Sequence, residues 1–146
     1  MNARDILKTK GPEILTLLPD EGIQQGINKM VEKGTGAALV VELDGRIAGI
    51  ITERDILRGQ AEHFDKMASV VVRDLMTSRM LIALPDDSVE TMMAVMSEKR
   101  VRHLPVVEDG KLAGILSMRD LICARAEKAE TEVHYLRDYI SGGYPR

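Results

Sequence analysis

LVVELDGRIAGIITERDIL at residues 39–57 returns as LPVVEDGKLAGILSMRDLI at residues 104–122. From Asp44 and Asp109 onward the two stretches run in register, 65 residues apart. Of fourteen positions seven are identical: Asp44/Asp109, Gly45/Gly110, Ala48/Ala113, Gly49/Gly114, Ile50/Ile115, Arg54/Arg119 and Asp55/Asp120. Among the others only Glu53/Met118 is a substantial change. Such a repeat is one supersecondary unit that buries its apolar face against its twin, and it decides the fold.

The likeness extends upstream, with a slip of one residue near Leu43. Pro19-Asp20-Glu21 corresponds to Pro85-Asp86-Asp87, each following a short apolar run (14–18 and 81–84). Ile23, Ile27, Met30 and Val31 then give one apolar helical stripe, and Val89, Met92, Met93 and Met96 give another. Gly34 is placed to stop the first helix. Next come an apolar run, an Asp-Gly turn and a second apolar run, which predict hairpins over 39–51 and 104–116. Each hairpin leads into a helix, at Glu53 and at Met118. Two short lead-in segments, RDIL (4–7) and RDLM (73–76), precede the units. Each unit therefore reads strand–helix–strand–strand–helix, an α+β class. The expected organisation is a first motif over 4–60, a linker over 61–72, a second motif over 73–126 and a tail over 127–146. In the tail, Ala126, Ala129, Val133, Leu136 and Ile140 form a stripe open to two uses, packing within the chain or a dimer contact, and 141–143 (Ser-Gly-Gly) ends it.

Composition narrows the function classes. At 146 residues the chain suits one compact domain or two small halves, and 45% hydrophobic content excludes general disorder. A net charge of −3 without basic runs argues against nucleic-acid binding. No apolar run reaches membrane-spanning length, no signal-peptide layout opens the chain, and the single Cys123 forms no internal disulfide. A cytoplasmic protein is expected. Cys123 reads as a small core residue, and the nine Met as core filler. The scattered His63, His103 and His134 give no metal-ligand pattern.

The chemistry concentrates at Thr52-Glu-Arg-Asp55 and Ser117-Met-Arg-Asp120. Ser or Thr followed three residues later by an acid is a capping-box-like helix start, which is a structural reading. The same hydroxyl, carboxylate and free helix N–H groups also suit a polyol bearing phosphate, and an acid commonly holds ribose hydroxyls.

The duplicated DG-x-h-A-G-I-h-[ST]-x-R-D-h pattern, with RHLPVV at 102–107, resembles a pair of CBS motifs, named for cystathionine β-synthase. The resemblance runs from about Arg4 to Arg125, and the chain is similar to stand-alone bacterial CBS-pair proteins. It implies two units packed sheet to sheet with pseudo-twofold symmetry, and clefts for an adenosyl ligand: AMP foremost, or ADP, ATP, NAD or S-adenosylmethionine. It implies ribose contacts at Asp55 and Asp120, with Thr52 and Ser117 beside them. Phosphate contacts fall to Arg102 and His103, as partners of a ribose on Asp55. The equivalent positions in repeat one are Gly36 and Ala37, so the Asp120 cleft lacks that clamp, and Lys8 or Arg79 is left to supply charge. Arg54 and Arg119 suit pairing with an acid. The implied function is a non-catalytic nucleotide sensor, a homodimer that signals to a protein partner. A ligand-independent scaffold with vestigial clefts is the alternative. An enzyme built on Ser117, His103 and Asp120 lacks any nucleophile-elbow, P-loop or metal signature.

Overall fold

The computed structural model describes residues 1–11 and 13–140, with side chains as far as Glu130. In chain order the elements begin α1 (Ala3–Lys10), β1 (Thr16–Leu17), α2 (Ile23–Lys33), β2 (Ala37–Val41), β3 (Ile47–Thr52) and α3 (Glu53–His63). A 3-10 turn over Phe64–Ser69 leads to α4 (Val72–Leu75), α5 (Val89–Lys99), β4 (His103–Glu108), β5 (Lys111–Ser117) and α6 (Met118–Ile140). The chain divides into two compact units, Glu13–Leu81 and one that joins Met1–Pro12 to Ile82–Arg146.

In the first of these, β2 pairs antiparallel with β3 and parallel with β1, giving the order β1-β2-β3. Leu17, Ile23, Met30, Ala38, Val40, Ile51, Val70 and Val72 close its core. α2 is stopped by Gly34 in the left-handed region (φ 65°), where its N–H reaches back to the last carbonyls of the helix. In the other unit β4 and β5 form the hairpin, and the apolar run at 81–84 contributes only a parallel bridge at Ala83 to Val106. Its core is Ala3, Ile6, Ala83, Val89, Met92, Met96, Leu104, Val106, Leu116, Leu121 and Ala124.

The hairpins differ at their tips. Asp109 and Gly110, both at positive φ, close a two-residue turn between Glu108 and Lys111, a geometry that Asp-Gly favours. The first hairpin closes through Glu42 and Arg46 and holds one more residue, which is the slip seen near Leu43; that side chain is 91% exposed.

The lead-in segments are exchanged relative to chain order. α1 precedes the first repeat yet its Ala3 and Ile6 enter the core of the second, and the Ala3 and Arg4 N–H groups donate to Asp87 and Pro85 carbonyls. α4 precedes the second repeat yet Val72 is buried with the first, and the Val72 and Arg73 N–H groups donate to Glu21 and Pro19. The compact units thus follow the sequence repeats only in their later elements.

Cys123 departs from its core assignment: it is exposed. On α6 the inward face carries Leu121 and Ala124, and Cys123 falls between them on the helical wheel's outer side with Ile122. Ala126 and Ala129 of the tail stripe are exposed as well, whereas the Val133, Leu136 and Ile140 side chains and residues 141–143 lie outside the described residues.

Candidate functional site

Thr52 ends β3 in extended backbone and caps α3: its Oγ1 accepts from the Asp55 N–H at 3.3 Å. In return Asp55 Oδ2 accepts from the Thr52 N–H at 3.0 Å and its hydroxyl at 3.2 Å. The other oxygen, Oδ1, accepts from the Thr77 hydroxyl at 3.3 Å and lies 3.9 Å from Arg58 Nη1. The residue is only 8% exposed. Thr77 is brought there by reciprocal backbone hydrogen bonds with Ile50 (3.0 and 2.8 Å), so the segment after α4 seals the edge of β3. Gly36 accepts from the Glu53 N–H at 2.9 Å, and a Cβ at Gly36 would lie 3.2–3.3 Å from the Glu53 carboxylate.

The second junction repeats this frame with different chemistry. Ser117 Oγ accepts from the Asp120 N–H at 3.1 Å, and Asp120 Oδ2 accepts from the Ser117 N–H at 2.8 Å. The same Oδ2 is held by Lys10 Nζ at 2.7 Å, and Lys10 also donates to the Ile115 carbonyl at 2.8 Å. Burial pushes the Asp120 carboxyl up, but the Lys10 and Ser117 hydrogen bonds and the Lys10 charge outweigh it and hold the group below its ordinary value. Its side chain is 24% exposed. Arg102 accepts at its carbonyl from the Met118 N–H (2.8 Å), the bond that Gly36 makes with Glu53. Register sets His103 opposite Ser117 and Ala37 opposite Thr52, so these positions are structural equivalents. Arg102 is exposed and His103 half-buried.

A cavity of about 340 Å³ opens between α1 and the second hairpin, lined by Arg4, Leu7, Lys8, Gly11, Pro85, Glu108 and Ala113. That volume lies at the small-ligand end of binding cavities. Arg4 is bound there by Glu108 at 2.9 Å and Asp86 at 3.6 Å.

Among the sequence-derived candidates, Gly36, Ala37, Thr52 and Asp55 fall in the unit Glu13–Leu81, together with Arg79, which is exposed. Lys8, Arg102, His103, Ser117 and Asp120 fall in the other. Two residues were missed, Thr77 on Asp55 and Lys10 on Asp120. Aligning RDILKTK (4–10) with RDLMTSR (73–79) sets Lys8 over Thr77 and Lys10 over Arg79, which marks the positions. It does not reveal which repeat each segment serves.

The CBS domain family model matches residues 3–62 and 72–127. The mitochondrial CBS domain-containing protein CBSX3 of Arabidopsis thaliana is 32% identical over 148 residues, covering 96% of this chain and 72% of that protein. CBS domain-containing protein YhcV of Bacillus subtilis is 32% identical over 114 residues, 77% of this chain and 79% of YhcV. Other relatives are longer: the match spans 37% of a protein of Thermofilum pendens. Among solved structures, a CBS-domain-containing protein from Agrobacterium tumefaciens superposes with a TM-score of 0.82 at 32% identity, over 85% of this chain and 92% of that one. The CBS domain pair of protein MJ0100, solved with 5′-methylthioadenosine and S-adenosyl-L-methionine, shares the fold (TM-score 0.77, 22% identity, 88% of this chain and 98% of that one). The chain belongs to the CBS domain family and carries two copies of the domain. Among the described residues, no helix is long and apolar enough to cross a membrane.

Proposed function

We propose that this chain is a regulatory module that binds an adenosyl ligand and conveys its occupancy to a protein partner without catalysis. The observation that carries the reading is the Asp120 junction. A part-exposed carboxylate at a strand–helix turn shares α1 and β5 with a cavity of small-ligand size that bears Lys8. A carboxylate so placed accepts vicinal ribose hydroxyls, while helix N–H groups and lysines favour phosphate. The ligand of the MJ0100 pair belongs to the same chemical class. AMP is the foremost candidate. Asp55 as a second ribose contact, and Arg102 and His103 as phosphate contacts, are part of the proposal. Occupancy shifts the module's conformation only by the ligand's differential affinity for the states it distinguishes. The module acts in this reading as a cytoplasmic homodimer, for which the exposed Leu57 (72%) and Phe64 (68%) offer apolar surface.

Calorimetric titration of nucleotide-stripped protein with AMP, ATP, NAD and S-adenosylmethionine tests it. Saturable binding, weakened by Asp120→Ala or Asp55→Ala and, for AMP, by Arg102→Ala, is expected. Folded protein that binds none of the four supports a second reading instead, a ligand-independent scaffold. The engagement of both Asp55 oxygens by Thr52 and Thr77 favours that alternative for the Asp55 site.

A further inference from the structure

Asp55 and Asp120 are equivalent by sequence, yet one carboxylate is held by hydroxyls and the other by an ammonium. Asp55 takes the Thr52 and Thr77 hydroxyls. Asp120 takes Lys10 at 2.7 Å, on the oxygen that already accepts from the Ser117 N–H. Among the described residues Oδ1 of Asp120 accepts no hydrogen bond, so the carboxylate stands with one oxygen saturated and one open. A ribose offers two neighbouring hydroxyls, and a carboxylate meets such a pair best with both oxygens. Lys10 occupies the second place.

We propose that Lys10 is the specificity-determining residue of the Asp120 site: it selects adenosyl ligands that carry an anionic group by changing its partner from Asp120 to that group. The inference rests on the adenosyl reading above and deepens it. Lysine is suited to the exchange because its charge sits on a flexible four-carbon stem with three donors. Both ends of this ion pair are also partly open, with side-chain exposures of 32% for Lys10 and 24% for Asp120. When a phosphate enters, the ammonium passes from one anion to another, and both Asp120 oxygens become available to the diol. A neutral ligand gives the displaced ammonium nothing in return. It must then settle for one carboxylate oxygen or bind against the full cost of breaking a charge-assisted hydrogen bond. The Ile115 carbonyl, the other acceptor of Lys10, keeps the ammonium near β5 during the exchange.

The test compares AMP with adenosine, which share the ribose and differ in the phosphate, on wild type, Lys10→Met, Lys10→Arg and Asp120→Ala. It is read on the component of binding that Asp120→Ala abolishes. In Lys10→Met the affinity for adenosine should rise and that for AMP fall, so that the preference for AMP shrinks by about tenfold or more, roughly one charge-assisted contact. Lys10→Arg, which keeps the cation, should retain most of the preference. Equal shifts for the two ligands, or weaker adenosine binding in Lys10→Met, would make Lys10 a mere support for Asp120 and overturn the inference alone. Wild-type protein that binds neither ligand through Asp120 overturns the functional reading itself, and the inference with it.

Discussion

Two acids 65 residues apart make the same backbone cap and differ in everything else. Asp55 is 8% exposed, and its nearest cation, Arg58, stands 3.9 Å away. Replacing it by Ala removes the reciprocal half of the capping box and the contact to the Thr77 hydroxyl, so Asp55→Ala should cost about 1–2 kcal/mol in urea unfolding. Asp120 acts through charge. Lys10 and the Ser117 N–H hold its carboxyl below the ordinary 3.8 despite burial. A lowered folded-state value means that the unfolded chain binds the proton more readily. The contribution to stability is then complete above the ordinary value and is lost as the pH falls through the lower folded-state value. The stability difference between wild type and Asp120→Asn should thus be constant from about pH 7 to about pH 5 and shrink below about pH 4. Urea unfolding across that range measures it, and a difference that persists undiminished at about pH 2.5 would remove the Lys10 pair from the account.

Among the elements, the hairpins and the helices that precede them were legible because the repeat states each twice, with Asp-Gly turns and period-3.6 stripes in agreement. The glycine of the repeated Ala-Gly-Ile segment was legible as a recurrence but not as a mechanism. A Cβ at Gly49 would come 2.6 Å from the Thr77 carbonyl oxygen, whereas one at Gly114 would meet the Leu7 side chain at 2.5 Å. Both glycines therefore admit a lead-in segment against the second strand of a hairpin, a long-range contact that no local pattern encodes. The neighbours differ in compliance, since a leucine can rotate away and a backbone carbonyl bonded to Ile50 cannot. Gly49→Ala should destabilise by about 2–3 kcal/mol and Gly114→Ala by about 1 kcal/mol, on the scale of overpacked cores. Thermal and urea unfolding of the pair check the order; equal losses would mean that the Thr77 strand yields as readily as a side chain. Lys10 escaped notice for the same reason. Its partner lies 110 residues away, and only the exchange of α1 into the second unit brings them together.

At the scale of the whole chain, two outcomes follow from surfaces and from connectivity. Leu57 on α3 and its repeat-equivalent Ile122 on α6 are 72% and 52% exposed, a large apolar exposure at equivalent positions of the two repeats. If they are dimer contacts, Leu57→Glu with Ile122→Glu should convert a dimer to monomer in sedimentation velocity at micromolar concentration, with the circular dichroism unchanged. A wild type that sediments as a monomer would end that reading. Connectivity makes the sharper demand. Reading the repeats in chain order, a change in α1 would loosen the first repeat and a change in α4 the second. The cores say the reverse: Ile6 is buried with Leu104, Leu116 and Leu121, and Val72 with Val40 and Ile51. Truncating a buried Ile to Ala costs about 2–5 kcal/mol, enough to raise local opening in the unit that holds it. In native-state hydrogen exchange, Ile6→Ala should therefore reduce protection of amides in β4, β5 and α5 while leaving β2 and β3 near wild type. Val72→Ala should do the opposite, to a smaller extent. Loss of protection in the repeat that directly follows each mutated segment would restore the chain-order organisation and refute the exchange; loss in the other repeat would explain why the helix that carries Lys10 answers to Asp120.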